Sequence, residues 1–363
     1  MDPVKLELSV DDSLYAPGDY VTGTVRLNAP YDVPGDRLTI RFQGKASVWF
    51  QEYEKTQTYR AERNFVDESV ELWRFVAAGE LLGMHGKPSS SLNPNVSPMI
   101  TSSTAKRFRF RVPFQAVTSF SYPNSPANVK YLIKTELSLF GDVLYASELQ
   151  IPIVSPTSIP RALAEKKFLH QKTFSFAKNR SVEVECRIGK SIFTPVEKIP
   201  IELKITNRWK QSIKYVHVNI VRKLECEGAL EKYPEVHLRN VYNHDCTGVG
   251  LPPSIPKIPI NDSLTFRPDL NLPALTPTFA VDGLMKLDYY IKISIGRAHN
   301  FVIGEMKLPI TIVTSICDTD LNENEENESD KENHLDRDVP LIDFSTPSPC
   351  NPFLNPFTVD LLA

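Results

Sequence analysis

The sequence lacks the features that would place it in a membrane or in an oxidising compartment. No stretch approaches the roughly 20 apolar residues that a membrane-spanning helix needs. The segment MDPVKLELSV contains no basic stretch followed by an apolar one, and it lacks the Gly at position 2 that N-myristoylation requires. The five cysteines are odd in number and irregularly spaced, so they do not form a disulfide framework. These absences predict a reducing, cytoplasmic setting, with peripheral membrane association only.

Catalytic and cofactor-binding motifs are also missing. The sequence has no G-x-S-x-G, P-loop, H-E-x-x-H or Gly-rich dinucleotide motif. Cys226, His237, His244 and Cys246 lie near one another in sequence, but their spacing fits no usual zinc pattern. The acidic run 318–338 lacks EF-hand spacing, and the basic clusters are too short to indicate nucleic-acid binding. We therefore expect no enzyme activity, no metal, no cofactor and no nucleic acid.

Charge is distributed unevenly along the 363 residues. The chain has 41 basic and 44 acidic residues, of which 2 basic and 12 acidic residues fall in 318–363. The body, 1–317, keeps 39 basic and 32 acidic residues and is therefore net positive, whereas the tail is strongly negative. A basic body favours acidic partners, such as phosphorylated cytoplasmic tails or anionic headgroups. The alternative is that the charge is simply spread over two solvated domains.

Apolar and polar residues alternate through most of 1–314, which predicts half-buried β-strands. Glycine is scarce, at 15 residues, whereas the 29 prolines disfavour long helices. Turn signals such as Ala16-Pro17-Gly18-Asp19 separate the strands. The pattern predicts an all-β protein made of antiparallel sandwiches. Residues 66–82 fit either a short helix or two strands.

The strand-rich region contains an internal duplication. Residues 4–28 align without a gap on 182–206, so that Val4 falls on Val182 and Pro17 on Pro195. Near the end of each half, 129–134 aligns on 287–292. Two matches in the same order, with the same alternation, predict two related domains.

The duplication sets the domain boundaries that we predict. The separation in residue number between matched positions is smaller for the second match than for the first, because the first half carries about 20 additional residues. The Ser/Pro-rich segment 79–105 is the obvious insertion. We predict an N-terminal β-sandwich over 1–155, a proline-bearing linker over 156–171 and a C-terminal β-sandwich over 172–314. Residues 317–338 are polar, charged and almost free of large apolar side chains, which predicts that the tail, 315–363, is disordered.

Several segments, taken in their order and spacing, carry a family resemblance. They are Tyr15–Asp19, Val21–Val25, Phe42–Ala46, Val48-Trp49, Phe108–Pro113, Val129–Tyr131, Leu272–Phe279 and Leu287–Lys292. Together they resemble the arrestins, and in particular the α-arrestins (arrestin domain-containing proteins), over about 1–314. The resemblance implies two tandem immunoglobulin-like (arrestin-type) β-sandwiches. It also implies a non-enzymatic adaptor that brings the cytoplasmic tails of membrane proteins to trafficking or ubiquitination machinery.

One departure from the family concerns ubiquitin ligases. Many α-arrestins carry PPxY motifs, which bind the WW domains of these ligases. Here the segment Pro252-Pro253-Ser254-Ile255 lacks the tyrosine that stacks in the WW groove. The family resemblance therefore implies a ubiquitin ligase as a partner, but the sequence offers no PPxY motif to recruit it.

The tail ends with two Asn-Pro-Phe triplets separated by a single residue. An Asn-Pro pair favours a tight turn that presents the following Phe as a compact apolar anchor. Such triplets resemble the ligands of EH domains, which are modules of endocytic and recycling proteins, and two anchors raise avidity. The predicted EH-domain-binding residues are Asn351, Pro352, Phe353, Asn355, Pro356 and Phe357.

A second tail segment, Leu341-Ile342-Asp343-Phe344, resembles the clathrin box and implies clathrin as a partner. The acidic residue that usually follows a clathrin box is Ser345 here, and phosphorylation of this serine would supply negative charge. The alternative is that the apolar residues of the tail pack on the C-terminal domain. The two interpretations are compatible if packing hides the motifs until cargo binds.

The sequence therefore predicts an arrestin-like endocytic or recycling adaptor that is recruited from the cytoplasm to the plasma membrane or endosomes. Its inner sandwich faces or exposed strand edges would bind a cargo tail by β-augmentation. The alternative with the same fold is a structural cargo-sorting coat subunit, similar to the arrestin-fold subunit of retromer. A coat subunit would co-purify stoichiometrically with its partners, whereas an adaptor would make transient, tail-dependent contacts.

Overall fold

The fold is known from a computed structural model, which describes residues 4–52, 57–75, 98–122, 126–165, 167–177, 180–252, 254 and 257–317. Strands make up most of these residues and the described part of the chain has one helix, of four residues, which confirms the all-β prediction. The predicted tail lies outside the described residues beyond Cys317. The chain divides into two compact units: unit 1 is Met1–Ser155, Glu225–Val241 and Phe279–Lys286, and unit 2 is Pro156–Leu224, Tyr242–Thr278 and Leu287–Ala363.

Unit 1 contains a three-stranded sheet in the order β1-β2-β7, and its larger sheet contains the antiparallel order β10-β9-β4-β5. The two-residue strand β8 pairs with β9, and β3 pairs with β6. The strands in chain order are β1 Lys5–Val10, β2 Tyr20–Asn28, β3 Val33–Pro34, β4 Arg37–Gln51, β5 Thr58–Arg74, β6 Met99–Ile100, β7 Ala105–Arg111, β8 Phe120–Ser121, β9 Ala127–Leu139 and β10 Asp142–Gln150.

The core of unit 1 forms where the apolar faces of these two sheets meet. Leu38, Ile40 and Phe42 alternate along β4 and are almost completely buried. The ring centroid of Phe42 lies 5.7 Å from that of Phe110 on β7 and 6.5 Å from that of Tyr131 on β9. The Phe42–Phe110 pair packs across the two sheets, whereas Phe42 and Tyr131 are neighbours within the larger sheet, and such aromatic rings contribute a large share of the buried apolar area.

Unit 2 contains a four-stranded sheet in the order β12-β13-β15-β18, together with β16, β20 and β21, which are neighbours in a second sheet. In this second sheet β17 pairs with β16, and the short β14 runs parallel to β21. The elements from β11 onward are β11 Ser158–Pro160, α1 Arg161–Ala164, β12 Phe168–Ala177, β13 Arg180–Ile188, β14 Ile192–Phe193, β15 Ile201–Asn207, β16 Tyr215–Leu230, β17 Tyr233–Gly250, β18 Asp262–Phe266, β19 Phe279–Val281, β20 Met285–Ala298, β21 Phe301–Ile312 and β22 Ser315–Cys317. Of these, β19 and the parts of β16, β17 and β20 that fall within 225–241 and 279–286 belong to unit 1.

The segment 66–82, which the sequence left open, and the predicted linker now have an assignment. Residues 66–74 belong to strand β5, so this part of 66–82 is not helical, while 76–97 lies outside the described residues. The predicted linker 156–171 contains β11, helix α1 and the first residues of β12. Within it, β11 pairs in parallel with β22, and the Thr157 backbone N–H donates to Thr314 Oγ1 at 2.7 Å.

The hairpins formed by β1–β2 and by β13–β15 share one register, which supports the internal duplication. In the first hairpin Leu8 pairs with Val25, and in the second Cys186 pairs with Leu203. The sequence alignment of 4–28 on 182–206 matches Leu8 with Cys186 and Val25 with Leu203. The same residue-by-residue pairing therefore recurs in both units.

The second match of the duplication also has a structural counterpart. Tyr131 and Tyr289 are both buried, and burial raises the pKa of each hydroxyl above its usual value. The Tyr131 hydroxyl donates to the Val117 carbonyl at 3.0 Å and accepts the Val117 backbone N–H at 3.1 Å. The Tyr289 hydroxyl donates to the carbonyl of Thr276 at 2.8 Å. Each tyrosine thus fixes the segment that precedes its own strand.

Replacing Tyr131 with Phe should lower the free energy of unfolding by about 1–3 kcal/mol, because the backbone N–H and carbonyl of Val117 lose a buried partner. Urea unfolding followed by circular dichroism measures this change. Tyr31→Phe is the matched control, because Tyr31 is 55% exposed, and it should stay within about 0.5 kcal/mol of wild type. Equal losses in the two variants would show that the buried hydroxyl has no special role.

Candidate peptide-binding site

The tail residues that the sequence identifies as docking sites, 341–344 and 351–357, lie outside the described residues. Their roles in clathrin and EH-domain binding remain predictions. The remaining expectation, that cargo binds at a strand edge or a sandwich face, concerns the sheets of the two units.

Strand β12 is an edge of the four-stranded sheet in unit 2. It pairs antiparallel with β13 from Phe168 opposite Ile188 onward, and in the described part of the chain no strand pairs with its other edge. Most of its side chains are exposed. An edge of this kind presents backbone N–H and C=O groups to which an extended peptide can add as a further strand.

A groove of about 620 Å³ opens at the N-terminal end of β12. Its floor is apolar because Ile188, Ile199 and Ile201, each at most 4% exposed, are joined there by Phe168 and Pro268. Leu169 also lines the groove, although this residue is 56% exposed. Strand β12 borders this apolar floor, and its outer edge pairs with no strand in the described ranges, so one strand can provide both elements of β-augmentation, a side-chain pocket and main-chain pairing.

Glycine at position 189 allows two segments of the groove to approach closely. A Cβ atom at Gly189 would lie 2.9 Å from Pro200 Cγ, closer than side-chain atoms normally approach each other. The Gly189 backbone N–H donates to the Pro200 carbonyl at 3.1 Å. The end of β13 is therefore held against the start of β15, which brings Ile188 and Ile201 together on the floor.

The rim of the groove carries more positive than negative charge. Its four cations are Lys167, Arg187, Lys198 and Arg267, and its two carboxylates are Glu202 and Asp269. Arg267 binds Glu202 through Nε and Nη2 at 3.0 and 2.7 Å, and Lys198 lies 2.6 Å from Asp269. Lys167 has no carboxylate within 4.0 Å among the described residues. The exposed ion pairs are weak, so an acidic peptide can compete for these cations.

The cysteines do not provide an alternative site. Burial raises the pKa of the Cys186 and Cys226 thiols to about 12, so both stay protonated at neutral pH. Cys246 is only partly buried, but no group of three or more His, Cys, Asp or Glu side chains in the described ranges is placed to hold a metal ion. No helix in the described ranges is both long and apolar enough to cross a membrane.

Sequence reasoning missed the groove because its lining comes from three separate segments, around 168, 188–201 and 268. One local signal was available. Phe168 and Leu169 are consecutive apolar residues at the start of a strand, where strict alternation would place one polar residue. They directly follow Lys166-Lys167, which the sequence marks as a basic cluster.

Comparisons with known proteins agree with this fold. The family model for the arrestin (or S-antigen) C-terminal domain matches residues 178–317, which include β13 to β22. Protein ttm-2 of Caenorhabditis elegans is 31% identical over 379 aligned positions, which cover 100% of each chain. The matched range 178–317 contains all of the groove lining except Lys167, Phe168 and Leu169.

Alkylation with iodoacetamide at pH 8 should discriminate between buried and accessible thiols in the native protein. A thiol with a pKa of about 12 is ionised in only about one molecule in 10,000 at that pH, so Cys186 and Cys226 should remain unmodified. The partly exposed Cys246 and Cys317 should react. Peptide mapping by mass spectrometry reads out each site, with urea-unfolded protein as the control in which all four react. Native labelling of Cys186 as fast as Cys246 would contradict the buried environment.

Proposed function

Because the chain belongs to the arrestin family and is of the α-arrestin type, we propose that it is a non-enzymatic adaptor that links membrane-protein cargo to endocytic or recycling machinery. Arrestin-family proteins generally act as scaffolds that bind membrane-protein cargo. The observation that carries the proposal is the apolar groove in unit 2 bordered by β12, whose outer edge pairs with no strand among the described residues. In this role the protein works at the cytoplasmic face of the plasma membrane or of endosomes.

The geometry of the groove indicates how a cargo segment would bind. An extended cytoplasmic peptide adds to the free edge of β12, where main-chain hydrogen bonds provide affinity without sequence preference. One apolar side chain of the peptide enters the groove and covers Leu169, which is 56% exposed. Acidic or phosphorylated residues of the peptide bind Lys167 on the rim and compete with Glu185, 2.8 Å away, for Arg187. The partner class is therefore an acidic, extended cytoplasmic tail.

The substitution Leu169→Asp should reduce recovery of membrane-protein cargo by at least about tenfold, because it places a carboxylate against the apolar floor and opposes an acidic ligand. The measurement is quantitative mass spectrometry of transmembrane proteins that co-purify with the full chain from detergent-solubilised membranes. Leu163→Asp is the matched control, since Leu163 on α1 is 54% exposed and does not line the groove. Recovery of the same proteins by both variants would exclude the groove as the cargo site.

The second part of the proposal concerns the tail. The two Asn-Pro-Phe triplets, 351–353 and 355–357, would bind EH domains, and Leu341-Ile342-Asp343-Phe344 would bind clathrin. A net-negative tail attached to a net-positive body also permits the tail to fold back until cargo displaces it. The support for these partners is the sequence of the triplets and of the clathrin-box-like segment.

The double substitution Phe353→Ala and Phe357→Ala should lower EH-domain binding at least about tenfold, because each removes the apolar anchor of its turn. Pull-down by immobilised EH domains measures the effect. Phe344→Ala provides the control, because it changes a tail phenylalanine outside the triplets and should keep EH-domain binding while weakening clathrin binding. If wild type and the double variant bind EH domains equally, the recruitment half of the proposal is refuted.

A further inference from the structure

One face of the β1-β2-β7 sheet in unit 1 carries a cluster that the adaptor role does not use. The register of β2 and β7 places Tyr20 opposite Arg111 and Thr22 opposite Arg109 on the solvent-facing side. Phe108 and Phe110, which alternate with these arginines on β7, point into the core. Cationic and aromatic side chains are therefore held side by side on one exposed surface.

Stacking orients the two arginines. The guanidinium carbon of Arg109 lies 3.4 Å from the centroid of the Tyr20 ring. The guanidinium carbon of Arg111 lies 5.7 Å from the same centroid and 4.5 Å from that of Phe114. Stacking uses the flat face of a guanidinium group and leaves its in-plane N–H groups available to donate to an anion.

The exposed ring of Phe114 packs against Gly18, which leaves room for it because glycine has no Cβ atom. Phe114 is 70% exposed, which is unusual for a phenylalanine next to an ordered strand. Gly18 adopts a positive φ of 94°, and a Cβ atom there would lie 2.8 Å from Phe114 Cε1. The Asp19 carboxylate accepts the Ala16 backbone N–H at 2.7 Å and fixes this turn. The fold therefore presents an apolar ring to solvent next to Arg111.

Neighbouring cations on the face each have a carboxylate partner, whereas those of the cluster have none among the described residues. Arg107 lies 2.7 Å from Asp11, and Lys5 lies 3.3 Å from Glu7. Within the described ranges no carboxylate lies within 4.0 Å of the charged groups of Arg26, Arg109 or Arg111. The face thus has three cations without a carboxylate partner in those ranges, two of which are stacked on aromatic rings.

We propose that this face, consisting of Tyr20, Arg26, Arg109, Arg111 and Phe114, binds the surface of an anionic phospholipid membrane. The arginines would donate to phosphate and carboxylate groups of the lipid heads. Phe114 and Tyr20 would enter the boundary between headgroups and acyl chains, where aromatic rings are favoured. An acidic peptide would bind the arginines but would leave the two aromatic rings in water. An anionic bilayer offers negative headgroups for the arginines and, just beneath them, an apolar region for the rings. This surface goes beyond the adaptor role, and it stands whether or not the unit 2 groove binds cargo.

Vesicle flotation with the full chain tests the electrostatic half of the proposal. Wild type should bind vesicles in which phosphatidylserine is the minor component beside phosphatidylcholine, and it should bind phosphatidylcholine alone far less. Arg109→Ser with Arg111→Ser should lower binding about 25-fold, since each basic group near an anionic surface contributes roughly a fivefold gain. The control, Arg63→Ser with Lys130→Ser, removes the same charge from exposed positions on β5 and β9 and should change binding no more than about twofold.

A second pair of variants, one test and one control, examines the contribution of the exposed phenylalanine to membrane binding. Phe114→Ser should lower vesicle binding about tenfold, because a buried ring is lost from the lipid interface. Phe140→Ser removes a similarly exposed ring, 79% exposed, from the turn between β9 and β10 and should leave binding unchanged. Circular dichroism spectra that match wild type show that each variant is folded.

Three results would overturn the proposal. The first is failure of wild type to bind the vesicles that contain phosphatidylserine. The second is equal loss of binding in the Arg109/Arg111 pair and the Arg63/Lys130 pair. The third is vesicle binding that needs the arginines but not Phe114, since this would describe an anion site that does not enter lipid. Capture of soluble polyglutamate without vesicle binding falls under the first result and would identify an acidic peptide as the ligand instead.

Discussion

The cross-strand register of β2 with β7 in unit 1 and of β13 with β15 in unit 2 is the constraint on which both proposed binding surfaces depend. Side chains alternate between the two faces of a strand, so a slip of one residue would exchange core and solvent positions. On β7, such a slip would bury Arg109 and expose Phe110, which would destroy both the core and the cluster around Tyr20. On β13 and β15, the same register keeps Ile188 and Ile201 opposite each other on the floor of the groove.

Much of this arrangement could be predicted from the sequence, because it depends on local alternation. The pattern in 4–28 and its copy in 182–206 predicts the strands, their inward faces and the repeated register. The match of 129–134 with 287–292 identified the two tyrosine-bearing strands, although the hydroxyl contacts with Val117 and Thr276 required the folded chain. Strand β5 was harder to assign, because five consecutive residues after Val66 are exposed and the alternation is lost.

The surfaces themselves could not be predicted, because they join residues that are distant in sequence. The stacking of Arg109 on Tyr20 exists only because β7 pairs with β2 across a long insertion. The groove needs the start of β12, the end of β13 and the residues after β18 to converge at one end of a sheet. Sequence alternation marks these arginines as solvent-facing, and only the structure shows which aromatic rings and carboxylates surround them.

Each part of the chain offers a different chemistry: a groove with a basic rim in unit 2, a stacked cationic face in unit 1 and the predicted Asn-Pro-Phe and clathrin-box-like motifs of the tail. We infer that the sandwiches select membrane cargo while the tail recruits the machinery. Proximity labelling in living cells, with the full chain and with a chain that ends at Cys317, is the decisive experiment. Both chains should label transmembrane proteins, and only the full chain should label EH-domain proteins. Identical neighbours for the two chains, or an absence of transmembrane proteins from both, would refute this division of roles.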